Sequence, residues 1–236
     1  MLTTLERFQT TKSDAAEADG VSNEVLSSLI NMAGRQRMLS QRIVFKAMLA
    51  LRHSDGALAI AQDTLRTFAD SHAALMQGRD GLPGLFSPAL REAFHGKEND
   101  TRDGRGTVAN KIADFIALAS AALDAIARDS ARADDAVLAL IASADPLLSD
   151  LHSVTAVYEQ ESRRIARVQK KEQQQLIDRI KSIAKEAHIV SFNGQIVASR
   201  TNVTGREFAV VAGVMTSITR ELEAVVSAFV KKTASA

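Results

Sequence analysis

One arginine stands in the apolar seam of a long helical stretch. Residues 30–42 read INMAGRQRMLSQR, and numbering in sevens from Ile30 puts Ile30, Arg37, Val44 and Leu51 at position a, with Leu26, Ala33, Ser40 and Ala47 at d. The d residues flanking Arg37 are small, and Gly34 lies on the same edge, so two helices can approach closely and still leave a cavity beside the guanidinium. A second apolar stripe, Leu29, Met32, Leu39 and Ile43, lies about 110° further round the helix. It suits the chain's own core, leaving the first stripe for a partner. A parallel homodimer would then bring two copies of Arg37 together across a two-fold axis. At about 6 Å and an effective dielectric of about 20 their repulsion is roughly 3 kcal/mol. A bound anion relieves it, and the planar guanidinium fork matches nitrate, nitrite or a carboxylate. The same arginine can instead pair with a carboxylate from a neighbouring helix or snorkel out of the seam, and a lone polar a position also fixes register.

Other chemistry-bearing residues do not assemble into a recognisable pattern. His53, His72, His95, His152 and His188 are dispersed, with no metal-ligand spacing, and His72 on the apolar side of its helix reads as a satisfied core residue. The chain has no cysteine, which removes thiolate catalysis and the common structural zinc sites. No nucleophile elbow, HExxH pair or phosphate loop occurs, so neither enzyme activity, a metal nor a cofactor is expected. The basic run Arg163, Arg164, Arg167, Lys170 and Lys171 is flanked by Glu159, Glu161 and Glu172 and lacks aromatic interleaving, which reads as a solvated helix face. A net charge of +1 likewise gives no global footprint for nucleic acid.

The elements that must position Arg37 are helices. Three prolines, twelve glycines and 4 % aromatics, against 46 % hydrophobic residues overall, favour long helices over sheet and give an all-α fold class. Helical periodicity runs from Val21 to Leu51, is interrupted at residues 53–56, and resumes from Leu58 to Gly78, where GRDGLPG reads as a loop. Ser87-Pro88 caps a short helix to Phe94, and the polar segment HGKENDTRDGRG leads to a third long helix from Thr107 to Ala127. A fourth begins near Asp134, with Pro146 expected to kink it or mark its true start. Four long helices suffice for an antiparallel bundle. The fourth continues as an apolar stripe with a charged exterior past Ile183, and a break at residues 201–205 precedes a last helix, so a helical hairpin ends the chain. Its expected core includes Phe208, Val211, Met215 and Ile218. The resulting division is a polar lead at 1–20, a bundle at 21–165 and a hairpin at 166–236.

A membrane-spanning helix needs roughly 20 mostly apolar residues. The best uncharged runs, at 188–199 and 208–219, are shorter, and the start of the chain lacks a signal-like apolar stretch, so no membrane insertion and a cytoplasmic location are expected.

The box INMAGRQRMLSQR resembles the signature of the PilJ-type domain, the N-terminal sensory domain of type IV pili methyl-accepting chemotaxis transducers, and is similar to the arginine-containing box of nitrate/nitrite sensor histidine kinases. LLSDLHSVTAVYEQES is similar to the family's last helix, so the resemblance covers approximately residues 20–165. It implies an anion held at a dimer interface by Arg37 with helix backbone near Gly34, Arg42 in support, and Asn31 and Arg35 as further motif positions beside Ala33 and Ser40. The segment IAKEAHIVSFNGQIVASRTNVTGREFAVVAGVM resembles the kinase-control tip of methyl-accepting chemotaxis proteins, with Asn193, Arg200, Gly205, Arg206 and Phe208 retaining that pattern. Val197 stands where the tip has glutamate, Glu207 where it has glycine, Gly194-Gln195 where it has two alanines and His188 where it has asparagine, and the arms are short. The resemblance implies a homodimeric receptor for nitrate, nitrite or another small anion, whose hairpin contacts a chemotaxis-type histidine kinase or coupling protein. The alternative is a helical scaffold in which both motifs serve oligomerisation.

Overall fold

The computed structural model describes residues 21–96, 106–200 and 203–234. Among them lie six helices and no strand: α1 (Asn23–Leu51), α2 (Ala57–Gln77), α3 (Pro88–His95), α4 (Val108–Ala127), α5 (Ala133–Arg200) and α6 (Val203–Ala234). The fold is all-α. Residues 1–20, expected as a polar lead, residues 97–105, and residues 201–202 of the expected break before the last helix lie outside the described residues.

Local chemistry sets the ends of these helices. Ser22 caps α1 by accepting from the Val25 N–H at 3.3 Å, Ser87 caps α3 by accepting from the Leu90 N–H at 3.2 Å, and Thr107 caps α4 by accepting from the Asn110 N–H at 3.4 Å. Each hydroxyl satisfies one of the donors a helix start leaves open. Pro88 occupies the first turn of α3, where its missing N–H costs nothing. Pro146 does not start α5: the helix begins at Ala133 and runs through it. The proline removes the helical donor to the Ala142 carbonyl, and Ala142 is exposed, so solvent can take that acceptor.

The chain divides into two compact units, 1–166 and 167–236, and α5 has residues in both. In the first unit α1, α2, α3, α4 and the N-terminal part of α5 share one core that includes Leu29, Ile43, Phe68, Phe94, Phe115, Leu140 and Tyr158. Phe68 and Phe115 meet with ring centroids 5.5 Å apart at 59°. Each such buried side chain contributes about 1.5–3 kcal/mol. Burial pushes the Tyr158 hydroxyl's pKa upward.

The expected partner-facing seam of α1 is instead internal. Leu26, Ala33, Ser40, Val44 and Ala47 are buried within the chain, as are Leu29, Leu39 and Ile43 of the other stripe. The core surrounds α1 on more than one side, so the two stripes form one broad buried face. What α1 leaves outside is a strip containing Met38, Phe45 and Met48, exposed by 55, 57 and 41 %. Gly34 and Gln41 fall on the same strip by helical geometry, and Arg37 sits at its border with the core.

In the second unit α5 and α6 run antiparallel. The Ser191 hydroxyl meets the Ala212 carbonyl and lies 2.7 Å from Thr216 Oγ1, while Lys181 and Lys185 share a groove with Glu223, Ser227 and Lys231. Their seam is built from residues seven apart: Ile177, Ala184, Ser191 and Ala198 on α5, and Ala212, Thr219 and Val226 on α6. Val211, Met215 and Ile218, expected in the hairpin core, are exposed by 61, 37 and 58 %. Small side chains and hydroxyls bonded to backbone let the two helices approach closely, which turns the larger apolar residues outward. Leu176, Ile183, Val190 and Val197 likewise form an exposed row seven residues apart on α5.

One 18-residue window of α5 reaches a mean hydropathy of 1.3, apolar enough by length and composition to cross a membrane, and 33 % of it is buried in the structure. Uncharged runs alone do not reveal it, because a window average tolerates isolated charges.

Candidate functional site

Arg37 is half-buried at the edge of α1, facing α5. Its Nη1 lies 2.9 Å from His152 Nδ1 and its Nε donates to the Gly34 carbonyl at 3.5 Å. A guanidinium only donates, so this contact requires an unprotonated Nδ1 and places the proton of a neutral His152 on Nε2. Arg37, Asp145, Leu148, Ser149, His152 and Ser153 line an open groove. No carboxylate lies within ion-pair distance of Arg37 among the described residues, so the pairing with a neighbouring helix's acid that the sequence left open is not made. The nearby Asp150 is taken by Lys111 of α4 at 2.8 Å.

The other box residues separate by helix geometry. Gly34 is half-buried beside Arg37, and a Cβ there would meet only Arg37 Nη2, at 3.7 Å. Ser40 is buried and donates to the Arg37 carbonyl at 2.9 Å, and Ala33 is buried in the core. Asn31, Arg35 and Arg42 are exposed. Arg35, two residues before Arg37, leaves the helix on about the opposite side. The Gly34 carbonyl therefore meets Arg37, and the groove adds Asp145, Ser149, His152 and Ser153, which the sequence did not assign to it. Their signal was the spacing 145, 149, 152, 153, one face of a helix.

A second polar feature lies inside the core. Gln36, 1 % exposed, donates through Nε2 to the Phe68 carbonyl at 3.0 Å, and its Oε1 has no partner. His72 Nδ1 is also buried without a partner, which corrects the expectation of a satisfied histidine. Burial lowers the His72 pKa to about 4, because the charged ring would lose its hydration. Gln36 lies seven residues from both Leu29 and Ile43, so its place in that apolar stripe was the available sign that it is a core residue.

The basic run on α5 makes helical ion pairs, Arg163 with Glu159 at 3.5 Å and Arg164 with Glu161 at 3.2 Å. At the tip, Asn193 and Val197 are exposed one turn apart, while Arg200, Gly205, Arg206 and Phe208 lie outside the residues whose side chains are described.

Residues 22–102 match the family described as PilJ, Type IV pili methyl-accepting chemotaxis transducer N-term. No curated protein and no solved structure matches the chain. The matched stretch contains the whole arginine box and ends before α4, so His152 lies beyond it. The segment that carries Arg37 is thus similar to the N-terminal domain of type IV pili methyl-accepting chemotaxis transducers.

Proposed function

We propose that this protein is a homodimeric receptor that senses a small oxyanion, nitrate or nitrite, at Arg37 and passes the signal through α5 to the hairpin. The observation that carries this reading is the state of Arg37: a half-buried guanidinium with no carboxylate partner among the described residues, within hydrogen-bond distance of the His152 ring and the Gly34 carbonyl, and open to a groove. No ion pair is made to its positive charge among the described residues, and planar oxyanions accept its paired N–H groups. The exposed strip bordering Arg37, with Gly34, Met38, Phe45 and Met48, is the face on which a second copy packs. Binding moves the equilibrium between two helix packings by the anion's differential affinity for them. The tip residues Asn193 and Val197 belong to the surface that meets a histidine kinase or coupling protein.

Thermal unfolding of the wild type and Arg37→Ala, across titrations of nitrate, nitrite, chloride and sulfate at constant ionic strength, tests the reading. At 100 times the dissociation constant, one-site binding stabilises by about 2.7 kcal/mol. A rise in Tm selective for nitrate or nitrite, absent in Arg37→Ala, is the expected result. The outward rows of large apolar residues on α5 and α6 also favour a scaffold that associates without a ligand. A Tm indifferent to all four anions would select that second reading.

A further inference from the structure

The contact between Arg37 and His152 has a chemical condition that sets when an anion can enter. We infer that His152 is the second anion ligand beside Arg37 and that the anion binds together with a proton on His152; this rests on the oxyanion reading of Arg37. While Nδ1 accepts from Arg37 Nη1 at 2.9 Å, the guanidinium has one donor engaged and the ring offers nothing to an anion on that side. Protonation removes the acceptor. Two cations then face each other across the groove at a distance where they repel, and an oxyanion between them accepts N–H bonds from both.

The surroundings favour this arrangement. His152 is exposed, so proton exchange with solvent is open to it. Ser149 and Ser153 bring hydroxyls to the same groove. The charged groups lining it are Arg37 from α1 and Asp145 from α5, two turns before His152. Asp145 opposes the anion, while Asp150 is paired with Lys111 of α4. The groove thus binds an anion and a proton as a pair, and signalling by oxyanion strengthens as the medium acidifies.

Isothermal titration of the full chain with sodium nitrate tests this between pH 7.5 and 5.5, a span across which histidines take up protons. The wild type is expected to bind roughly tenfold or more tightly at the lower pH, since one linked proton permits up to tenfold per pH unit. Repeating the titration in buffers of different ionisation enthalpy should show proton uptake approaching one per nitrate at the upper pH. In His152→Gln, which keeps a neutral polar side chain, the affinity should lose its pH dependence and the uptake should vanish. Nitrate binding with no proton uptake in the wild type, or with equal uptake in His152→Gln, overturns the inference and leaves the oxyanion reading standing. No nitrate binding at any pH overturns both. The wild-type uptake decides the matter even if the variant folds poorly.

Discussion

Gln36 Oε1 and His72 Nδ1 are unpartnered atoms of two residues that line one cavity, enclosed by Ala33, Leu75, Phe94, Ile112, Leu151 and Val154 from five helices. Its volume, about 10 Å³, is close to what a single water needs. The two polar groups therefore sit at the point where α1, α2, α3, α4 and α5 converge, and His72 makes the core sensitive to protons.

The His72 pKa, about 4 in the folded chain, lies below the unfolded value of 6.5. Between those values the unfolded chain binds more protons, so stability is complete above pH 6.5 and falls as pH drops toward 4, by up to about 3 kcal/mol. In His72→Gln that part of the acid sensitivity should disappear. Urea unfolding at pH 4.5, 5.5 and 7.5 checks it: an equally steep loss in the variant would mean that other groups carry the acid response.

The loop between α2 and α3 depends on two glycines. Gly78 and Gly84 have φ of +75° and +67°, and a Cβ on either would approach backbone atoms at 2.5 and 2.9 Å. Gly81 also has positive φ, +86°, but open space around it. Gly84→Ala should therefore cost about 2–3 kcal/mol, from strain and clash together, and Gly81→Ala about 1 kcal/mol, from strain alone. Equal losses in urea midpoints for the two variants would show that the loop relaxes around the added methyl.

The outward rows of the hairpin give an association test independent of the anion. Ile218, 58 % exposed, lies seven residues from both Val211 and Val225, which are 61 % exposed each. Ile218→Glu should leave helicity intact, because the side chain already meets solvent in the single chain, and should shift a dimer to monomer. Light scattering coupled to size exclusion reads the mass directly. An unchanged mass would remove this face from the dimer contact.

The helix ends were legible because their chemistry is local: Ser22, Ser87-Pro88 and Thr107 announce themselves within four residues. Arg37 was also legible, as one charge in an apolar repeat. Burial was less so. Periodicity shows that Val44 and Ile43 belong to apolar stripes, yet which stripe faces outward depends on how many helices surround α1, a tertiary fact. The hairpin itself was legible, but its core residues were not, for a related reason. Large side chains look like a core by hydrophobicity, whereas Ala184, Ser191, Ala198, Ala212 and Thr219 make the real seam by permitting close approach. His152 was read as dispersed because its partner is Arg37, more than a hundred residues away. No local spacing encodes such a pair.

Gly34 offers the sharpest test of whether the α1 strip meets a partner. It lies inside a helix with helical backbone, where glycine costs about 1 kcal/mol relative to alanine. Nothing in the single chain requires it: an added Cβ has ordinary contact with Arg37 Nη2 at 3.7 Å and no other neighbour within 4 Å. Gly34→Ala should accordingly raise the unfolding free energy of the monomeric species by about 0.5–1 kcal/mol. Gly34→Phe should keep the fold and block the close approach of a second helix beside Arg37. Thermal unfolding and mass by light scattering, each with and without nitrate, separate the cases. A folded Gly34→Phe that has lost both its dimer and its nitrate response would show that the glycine serves the partner. A folded Gly34→Phe with an unchanged dimer and nitrate response would place the partner on another face.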